Sequence, residues 1–405
     1  MNVLLAHNFY QQPGGEDQTF ADEGRLLEQH GHVVGRFTMD NDAVDTIGKL
    51  TVARQTVWNG PARQSLRKAI RETGARIVHF HNTFPLISPA GYYAAHDEGA
   101  AVVQTLHNYR LMCVTATFCR NGRLCEDCLG RAVAWPGIFH GCYRGSRAGS
   151  AAVAAMLAFH RLKGTWRREV DVYIALSEFG RKKFIEGGLP PDKLMVKPIF
   201  SDPDPGLGAG QGDFALFVGR LSAEKGIATL LAAWPRIYAD TGTKLKIIGN
   251  GPLRSSAEAA SGKASGIEYL GRLESQQEVY ATMGAAQALI FPSIWYEGQP
   301  RTIVESLAKG TPILASRLGS MPEMVEGGRT GLLFEPGNPD DLARQARVLL
   351  SAQADRQRMR QAARLEFESR YTAEQNYPLL MRCYERALKE SGGPANGPAQ
   401  RSLDA

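Results

Sequence analysis

Short apolar runs alternate with helical stretches, stop at a Pro- and Gly-rich break and then start again; this restart constrains the chain more than any other feature. Val3–His7, His32–Phe37, Arg76–His81, Ala101–Leu106, Val170–Leu176 and Lys193–Pro198 read as strands, with helices at Thr19–His30, Pro89–Asp97 and Glu178–Glu186. Ser201–Asp213 interrupts the pattern with Pro203, Pro205, Gly206, Gly208, Gly210 and Gly212, a composition that suits a linker or hinge. The alternation resumes with strands at Phe214–Val218, Lys244–Ile248, Ile267–Leu270, Ala288–Phe291, Pro312–Ala315 and Gly331–Phe334. Its helices fall at Ile227–Tyr238, Gln276–Met283, Thr302–Lys309 and Pro339–Leu350. Apolar runs without polar alternation need cover on both faces, and crossover helices between parallel strands provide it. The expectation is an α/β chain with two Rossmann-like doubly wound domains, residues 1–200 and 214–371, and a linker at 201–213. A helix at 372–390 follows, then a Gly/Pro/Ser-rich tail at 391–405 that is expected to be disordered.

The 405 residues are enough for two such domains. No run approaches the roughly 18 apolar residues of a membrane span. Met1–Tyr10 reads as a strand without the basic start of a signal peptide, so a cytoplasmic location is expected. The net charge of +6 attracts anions. No basic block with interleaved aromatics is present, so no specific nucleic-acid partner is expected.

Three segments of the second half carry chemistry. Phe217–Val218–Gly219–Arg220–Leu221 runs on to Glu224–Lys225–Gly226, so a strand ends, two cations follow and a helix begins. Arg220 and Lys225 can neutralise a diphosphate beside helix N–H groups, although two surface cations near a helix start would look the same. Ile247–Ile248–Gly249–Asn250–Gly251–Pro252 is a strand followed by a glycine turn, which suits either close ligand approach or an ordinary tight turn. Glu297–Gly298–Gln299–Pro300–Arg301–Thr302–Ile303–Val304–Glu305 places two glutamates eight apart across a helix start. Glu305, expected in the first helical turn, could accept both hydroxyls of a ribose, and the N–H groups of Arg301, Thr302 and Ile303 would face an anion. The alternative for Glu305 is a carboxylate that simply favours the helix dipole.

The order Gly-Arg-Leu…Glu-Lys-Gly, Gly-Asn-Gly-Pro, Glu-x7-Glu and then Ala308–Lys309–Gly310–Thr311–Pro312–Ile313 resembles the donor domain of retaining, family-4-like GT-B glycosyltransferases (glycosyl transferases group 1). The resemblance implies a GT-B fold, two Rossmann-like domains facing across a cleft. The first would serve the acceptor and the second the nucleotide-sugar. It implies that Arg220 and Lys225 bind the donor diphosphate, Glu305 the ribose and Glu297 the transferred sugar, with Arg272 and Leu273 flanking the base. The donor would be a UDP- or GDP-sugar, and neither an organic cofactor nor a catalytic metal is implied. Many members have Gly-Phe-Gly-Leu-Pro after the first glutamate. This chain has Gly298–Gln299–Pro300–Arg301–Thr302, which leaves the donor sugar open.

In the first half, Pro13–Gly14–Gly15–Glu16–Asp17 is comparable to the family's Gly-Gly loop, where Gly14 and Gly15 would approach donor phosphate and acceptor. Thr105–Leu106–His107–Asn108 matches the position of a family histidine that contacts the transferred sugar. His79 and His81 alternate on a strand and either face the ligand or pack in the core. Asp202–Pro203–Asp204 has the form of a metal-binding Asp-x-Asp but falls in the linker.

Five of six cysteines fall between Cys113 and Cys142. Cys125–Glu126–Asp127–Cys128 is a Cys-x-x-Cys pair that Cys113 and Cys142 could complete as a structural zinc site, with Cys119 to spare; reduced packing cysteines are the alternative. Ser146–Arg168 reads as a basic amphipathic helix whose apolar face, Ala152, Ala155, Phe159, Leu162 and Trp166, is expected to pack on its own domain. Such a helix can instead lie peripherally on an anionic membrane, which fits a glycan or lipid-linked acceptor at the inner face. A GT-B sugar-nucleotide epimerase and a non-catalytic sugar-nucleotide-binding protein are the rival readings.

Overall fold

A computed structural model describes residues 1–11 and 14–392. Pro13 of the Gly-Gly loop and residues 393–405 of the tail lie outside the described residues. The chain divides into two compact units. The first is Met1–Phe118, Cys125–Pro198 and the chain from Asn376 onward; the second is Cys119–Leu124 and Ile199–Gln375.

Unit 1 is built on β1 (Asn2–Phe9), β2 (Val33–Asp40), β3 (Ile77–Asn82) and β4 (Ala101–Leu106). A small antiparallel hairpin, β5 (Cys119–Arg120) with β6 (Arg123–Leu124), interrupts the series. β7 (Val172–Ala175) and β8 (Leu194–Val196) complete the main sheet, which is parallel throughout in the order β2-β1-β3-β4-β7-β8. β3, β4 and β7 are buried along their whole lengths, as strands covered on both faces must be.

Two helices, Lys49–Val57 and Gly60–Thr73, were not read from the sequence. The second carries its signals in plain form. Asn59 caps it by accepting from the Ala62 N–H, Pro61 stands in the first turn and Gly74 ends it in the left-handed conformation. The last helix, Ala373–Ser391, lays Leu380, Cys383, Tyr384 and Ala387 against Val3, Leu5, Ile77 and Val103, so the C-terminal segment is part of the core of unit 1.

The basic amphipathic helix differs from expectation. It spans Arg147–Leu162 and stops before Gly164, after which Thr165–Arg168 forms a separate turn. The side chains it buries are Ser150, Val153, Ala154, Met156, Leu157 and His160. Of the expected face, Ala155, Phe159 and Leu162 are exposed and only Trp166, beyond the break, is buried. The reason is His160. Its Nε2 meets the Val57 carbonyl at 2.7 Å and its Nδ1 the Thr165 hydroxyl at 2.9 Å, and burial lowers its pKa to about 4. A neutral, satisfied histidine thus occupies a core position that reads as polar in sequence.

Unit 2 contains β9 (Phe214–Val218), β10 (Lys244–Ile248), β11 (Ile267–Gly271), β12 (Leu289–Phe291), β13 (Ile313–Ser316) and β14 (Gly331–Phe334). They form one parallel sheet in the order β11-β10-β9-β12-β13-β14. The order reverses between β9 and β12, the point at which open α/β sheets bind ligands beyond their carboxyl ends.

The Pro- and Gly-rich stretch read as a linker is bonded along unit 2. Gly208 N–H donates to the Lys309 carbonyl, Gly210 N–H to Gly284 and Gly212 N–H to Ala285. A Cβ on Gly208 would lie 2.2 Å from the Gly284 Cα. Its glycines serve close backbone packing rather than a hinge, and Asp204 pairs with Arg364. Among the described residues, no helix is long and apolar enough to cross a membrane.

Candidate functional site

The loops after β9 and β12 are stitched together where the strand order reverses. Ile294 N–H and the Ser293 hydroxyl both donate to the Glu224 carbonyl, at 2.9 and 3.2 Å. Gly226, with φ +72°, brings the chain so close that a Cβ would lie 1.8 Å from the Pro292 carbonyl oxygen. Only glycine combines that conformation with that approach. The result is that Lys225, after β9, and Glu297, after β12, meet: Nζ to Oε1 is 2.6 Å. The same Oε1 accepts from the Ser293 hydroxyl and the Trp295 indole N–H, each at 2.7 Å. Lys225 Nζ lies 5.2 Å from the Trp295 ring centre, so the cation sits between a carboxylate and an aromatic face. From the loop after β13, the Ser320 hydroxyl holds the Glu297 carbonyl at 2.9 Å.

Arg220, in the same loop after β9 as Lys225, is exposed and without an ion pair among the described residues. A second loop backs it. Leu221 N–H donates to the Asn250 carbonyl and Leu253 N–H returns to the Leu221 carbonyl. A Cβ on Gly251 would lie 2.4 Å from that Leu221 oxygen, so Gly251 is needed for contact between two loops of the protein itself. Arg272 and Leu273 follow β11; Arg272 is exposed and Leu273 packs against the buried Val279–Met283 cluster.

Glu305 lies in the helix Arg301–Ala308, in its second turn rather than the expected first. It is buried, and its Oε1 accepts from Arg301 Nε at 3.1 Å, the Tyr280 hydroxyl at 3.2 Å and Gln276 Nε2 at 3.3 Å. Arg301 therefore engages the glutamate four residues on. Thr302 is half-buried in the first turn, while Ile303 N–H donates to the Pro300 carbonyl at 3.1 Å. The expected anion-facing role of Ile303 meets an N–H already committed to the turn. Gln299, where the sequence leaves the commonest family pattern, accepts from Ile199 N–H at 2.6 Å and so anchors the start of the unit.

In unit 1, Gly14 caps the helix Gly15–Gln29 from an extended conformation, with its N–H on Asp17 Oδ2 at 2.7 Å. His107 and Asn108 follow β4. Asn108 Nδ2 reaches the Tyr10 hydroxyl at 3.3 Å and Glu16 Oε2 at 3.4 Å. Glu16, in the Gly-Gly loop, carries no sequence signal beyond that of a helix-start acid. Its Oε1 is buried without a hydrogen-bond partner, and burial, then Asp17, raises its carboxyl to about 8. His79 and His81 are core residues of this unit.

None of the six cysteines is in a disulfide among the described residues. Burial raises Cys128 to about 11, with Cys113, Cys142 and Cys125 adding to the effect as neighbouring charges. Cys113, Cys125 and Cys142 are therefore neighbours of Cys128, but the four sulfurs do not form a group of ligand atoms within 4.8 Å of one another. The one group of three or more His, Cys, Asp or Glu ligand atoms within 4.8 Å of one another, among the described residues, is Glu23, His79 and His81.

Comparison with known proteins bears on unit 2 first. Residues 213–352 match the family of glycosyl transferases group 1. An uncharacterized glycosyltransferase of Methanocaldococcus jannaschii is 32% identical over 178 residues, 44% of this chain and 49% of that protein. The glycogen synthase of Mycobacterium tuberculosis is 34% identical over 158 residues, 38% of each. The chain thus spans half or less of the length of these curated relatives. Anabaena HepE, solved in complex with UDP-glucose, superposes with a TM-score of 0.65 at 17% identity, covering 95% of this chain and all of that one. That likeness is one of fold, and the fold is GT-B.

A carboxyl with a folded pKa near 8 and an ordinary one when unfolded keeps a proton that the unfolded chain loses as pH rises. Its stability penalty grows through that window and is complete above the folded pKa. Glu16→Gln is therefore expected to gain on the wild type in thermal midpoint between about pH 5 and about pH 9. A midpoint difference that does not change with pH would contradict the assignment.

Proposed function

We propose that the chain is a glycosyltransferase that moves a sugar from a nucleoside diphosphate donor, a UDP- or GDP-sugar, to a hydroxyl of a glycan or lipid-linked acceptor with retention of configuration. The observation that carries this reading is the Lys225–Glu297 pair at the strand reversal of unit 2, with exposed Arg220 in the same loop as Lys225. A diphosphate leaving group develops charge as the sugar departs. Two cations held by stitched loops act on that charge without reorganising, which is electrostatic preorganisation. On donor binding, Lys225 exchanges Glu297 for a phosphate oxygen, and the freed carboxylate turns to the sugar hydroxyls. Glu305 accepts the ribose hydroxyls in place of Arg301, whose guanidinium becomes available to the diphosphate. His107, on unit 1, contacts the transferred sugar. No organic cofactor or catalytic metal takes part in this scheme.

The reading is checked by calorimetry with UDP and GDP. Lys225→Ala and Glu305→Ala are each expected to weaken binding at least about tenfold, ~1.4 kcal/mol. Glu297→Ala should lower turnover more than donor affinity. Normal nucleotide binding in both Lys225→Ala and Glu305→Ala overturns the site. Conversion of the donor without an acceptor would favour the epimerase.

The thiols around Cys128 support a structural zinc site formed with Cys113, Cys125 and Cys142. Protein purified without chelator should contain about one zinc per chain, the stoichiometry of a four-thiolate site; its absence leaves these cysteines as packing residues. For the acceptor, exposed Trp135, Phe139 and Phe159 lie against Arg131, Arg147 and Lys163, a pairing of apolar rings with cations that suits an anionic lipid surface. Co-sedimentation with anionic but not neutral vesicles is expected, and equal behaviour with both would remove the membrane from the proposal.

A further inference from the structure

The core of unit 1 holds a chain of polar side chains that the donor site does not use. Glu23, on the helix Gly15–Gln29, is fully buried, as are His79 on β3 and Lys197 after β8; His81 on β3 is buried as well. Glu23 Oε1 lies 2.7 Å from Lys197 Nζ, which also donates to Asn376 Oδ1 on the C-terminal helix at 3.0 Å. Glu23 Oε2 lies 3.4 Å from both His81 Nε2 and His79 Nδ1. His79 is held further by the Tyr384 hydroxyl at Nδ1, 3.0 Å, and the Thr105 hydroxyl at Nε2, 2.7 Å. The chain continues from His81 Nδ1 to His107 Nε2 at 3.0 Å, with the two rings stacked 5.2 Å apart. His7, bonded through Nε2 to Asp17, packs edge-on against His81.

A metal ion is a poor occupant for the Glu23–His79–His81 group. The site has one carboxylate, and the Lys197 ammonium already neutralises it. A divalent cation would add two unmatched charges to a buried group. The same count applies to protons, since among the described residues no second carboxylate lies within ion-pair distance of His79 or His81 to match an imidazolium.

Hydrogen-bond direction then follows from the end that cannot vary. Burial alone would raise Glu23, but Lys197, followed by His81 and His79, holds it well below the usual carboxylate range, so it is an anion that only accepts. Glu23 Oε2 and His81 Nε2 are both buried without a hydrogen-bond partner among the described residues; they face each other at 3.4 Å, while His79 Nδ1, equally 3.4 Å from Oε2, has the Tyr384 hydroxyl as its partner. The proton on His81 therefore belongs at Nε2, which leaves Nδ1 as an acceptor. His107 Nε2 must donate to it, and a neutral His107 with its proton at Nε2 keeps a bare lone pair at Nδ1. Burial, then the neighbouring His81, pushes the His107 pKa well below its ordinary value. Its Nδ1 makes no hydrogen bond among the described residues.

We infer that Glu23 and His81 are positioning residues that fix His107 as a hydrogen-bond acceptor at Nδ1, so that the histidine accepts a hydrogen bond from a sugar hydroxyl instead of donating one. This rests on the reading of His107 as a sugar contact. It adds a preference for a donor sugar with a free hydroxyl at that point over one whose oxygen there is methylated and can only accept.

The test reads the tautomer directly. In the wild-type chain with 15N-labelled histidine, long-range proton–nitrogen correlation spectra, assigned with His107→Asn, should show His107 with a protonated Nε2 and an unprotonated Nδ1. Glu23→Gln and His81→Gln should convert that signal to a mixture of tautomers. With nucleotide affinity retained, they should lower kcat at least about tenfold while the donor KM moves less than about twofold. A wild-type His107 protonated at Nδ1 overturns the inference even if both variants fail to fold. So does a signal that neither substitution changes. Because the tautomer is read without donor, a wrong tautomer with normal nucleotide binding rejects the relay alone, while a correct tautomer with no nucleotide binding rejects the site reading alone.

Discussion

A parallel sheet covered on both faces leaves room for solvent-facing polar chemistry only at its ends, and much else in this molecule follows from that constraint. The middles of β3, β4, β7, β12 and β13 are buried throughout, so charged side chains meet at the loops that follow the strands. In unit 2 the reversal of strand order opens one such end, and the loops there are tied by backbone bonds rather than by long flexible side chains. Lys225 and Glu297, 72 positions apart in sequence, come within 2.6 Å because Gly226 lets their two loops touch. Unit 1 breaks the rule in its interior with Glu23, His79, His81 and Lys197. It does so with its charge closed, a condition under which a buried carboxylate can stay ionised.

Much of this was legible in the sequence. β4 and the helix Glu178–Glu186 begin and end where the apolar pattern does, and Lys225 and Glu297 of unit 2 follow strand ends as expected, while Glu305 lies one turn further into its helix. What stayed hidden depended on partners remote in sequence. His160 is polar by letter and apolar by circumstance, and it turned the reading of its helix over. The glycines of 201–213 resemble a hinge until Gly284 and Lys309 are seen to need their bareness. His79 and His81 look like alternating strand residues, and only Glu23 from one helix, itself paired with Lys197 from another strand end, accounts for their polar surroundings in the core. Glu16 is an ordinary helix-start acid in sequence, and its shifted carboxyl comes from burial that no local pattern announces.

The stretch between the two glutamates is where this chain departs from the commonest pattern of the family it resembles, and the departure has a structural content. Gln299 is spent on the Ile199 backbone and Arg301 on Glu305. Neither residue is idle, so the segment is held in shape before any ligand arrives. Preorganisation of this kind favours selectivity, because a donor must displace a specific set of bonds to enter.

The central claim is that a donor nucleotide binds at the carboxyl end of the unit 2 sheet, around the strand reversal. Hydrogen-exchange mass spectrometry of the wild-type chain with and without saturating UDP tests it most directly. The account predicts slowed exchange in the loops at 219–226, 249–253 and 294–305, with the far ends of the same strands unchanged. Protection confined to segments outside those loops would contradict it.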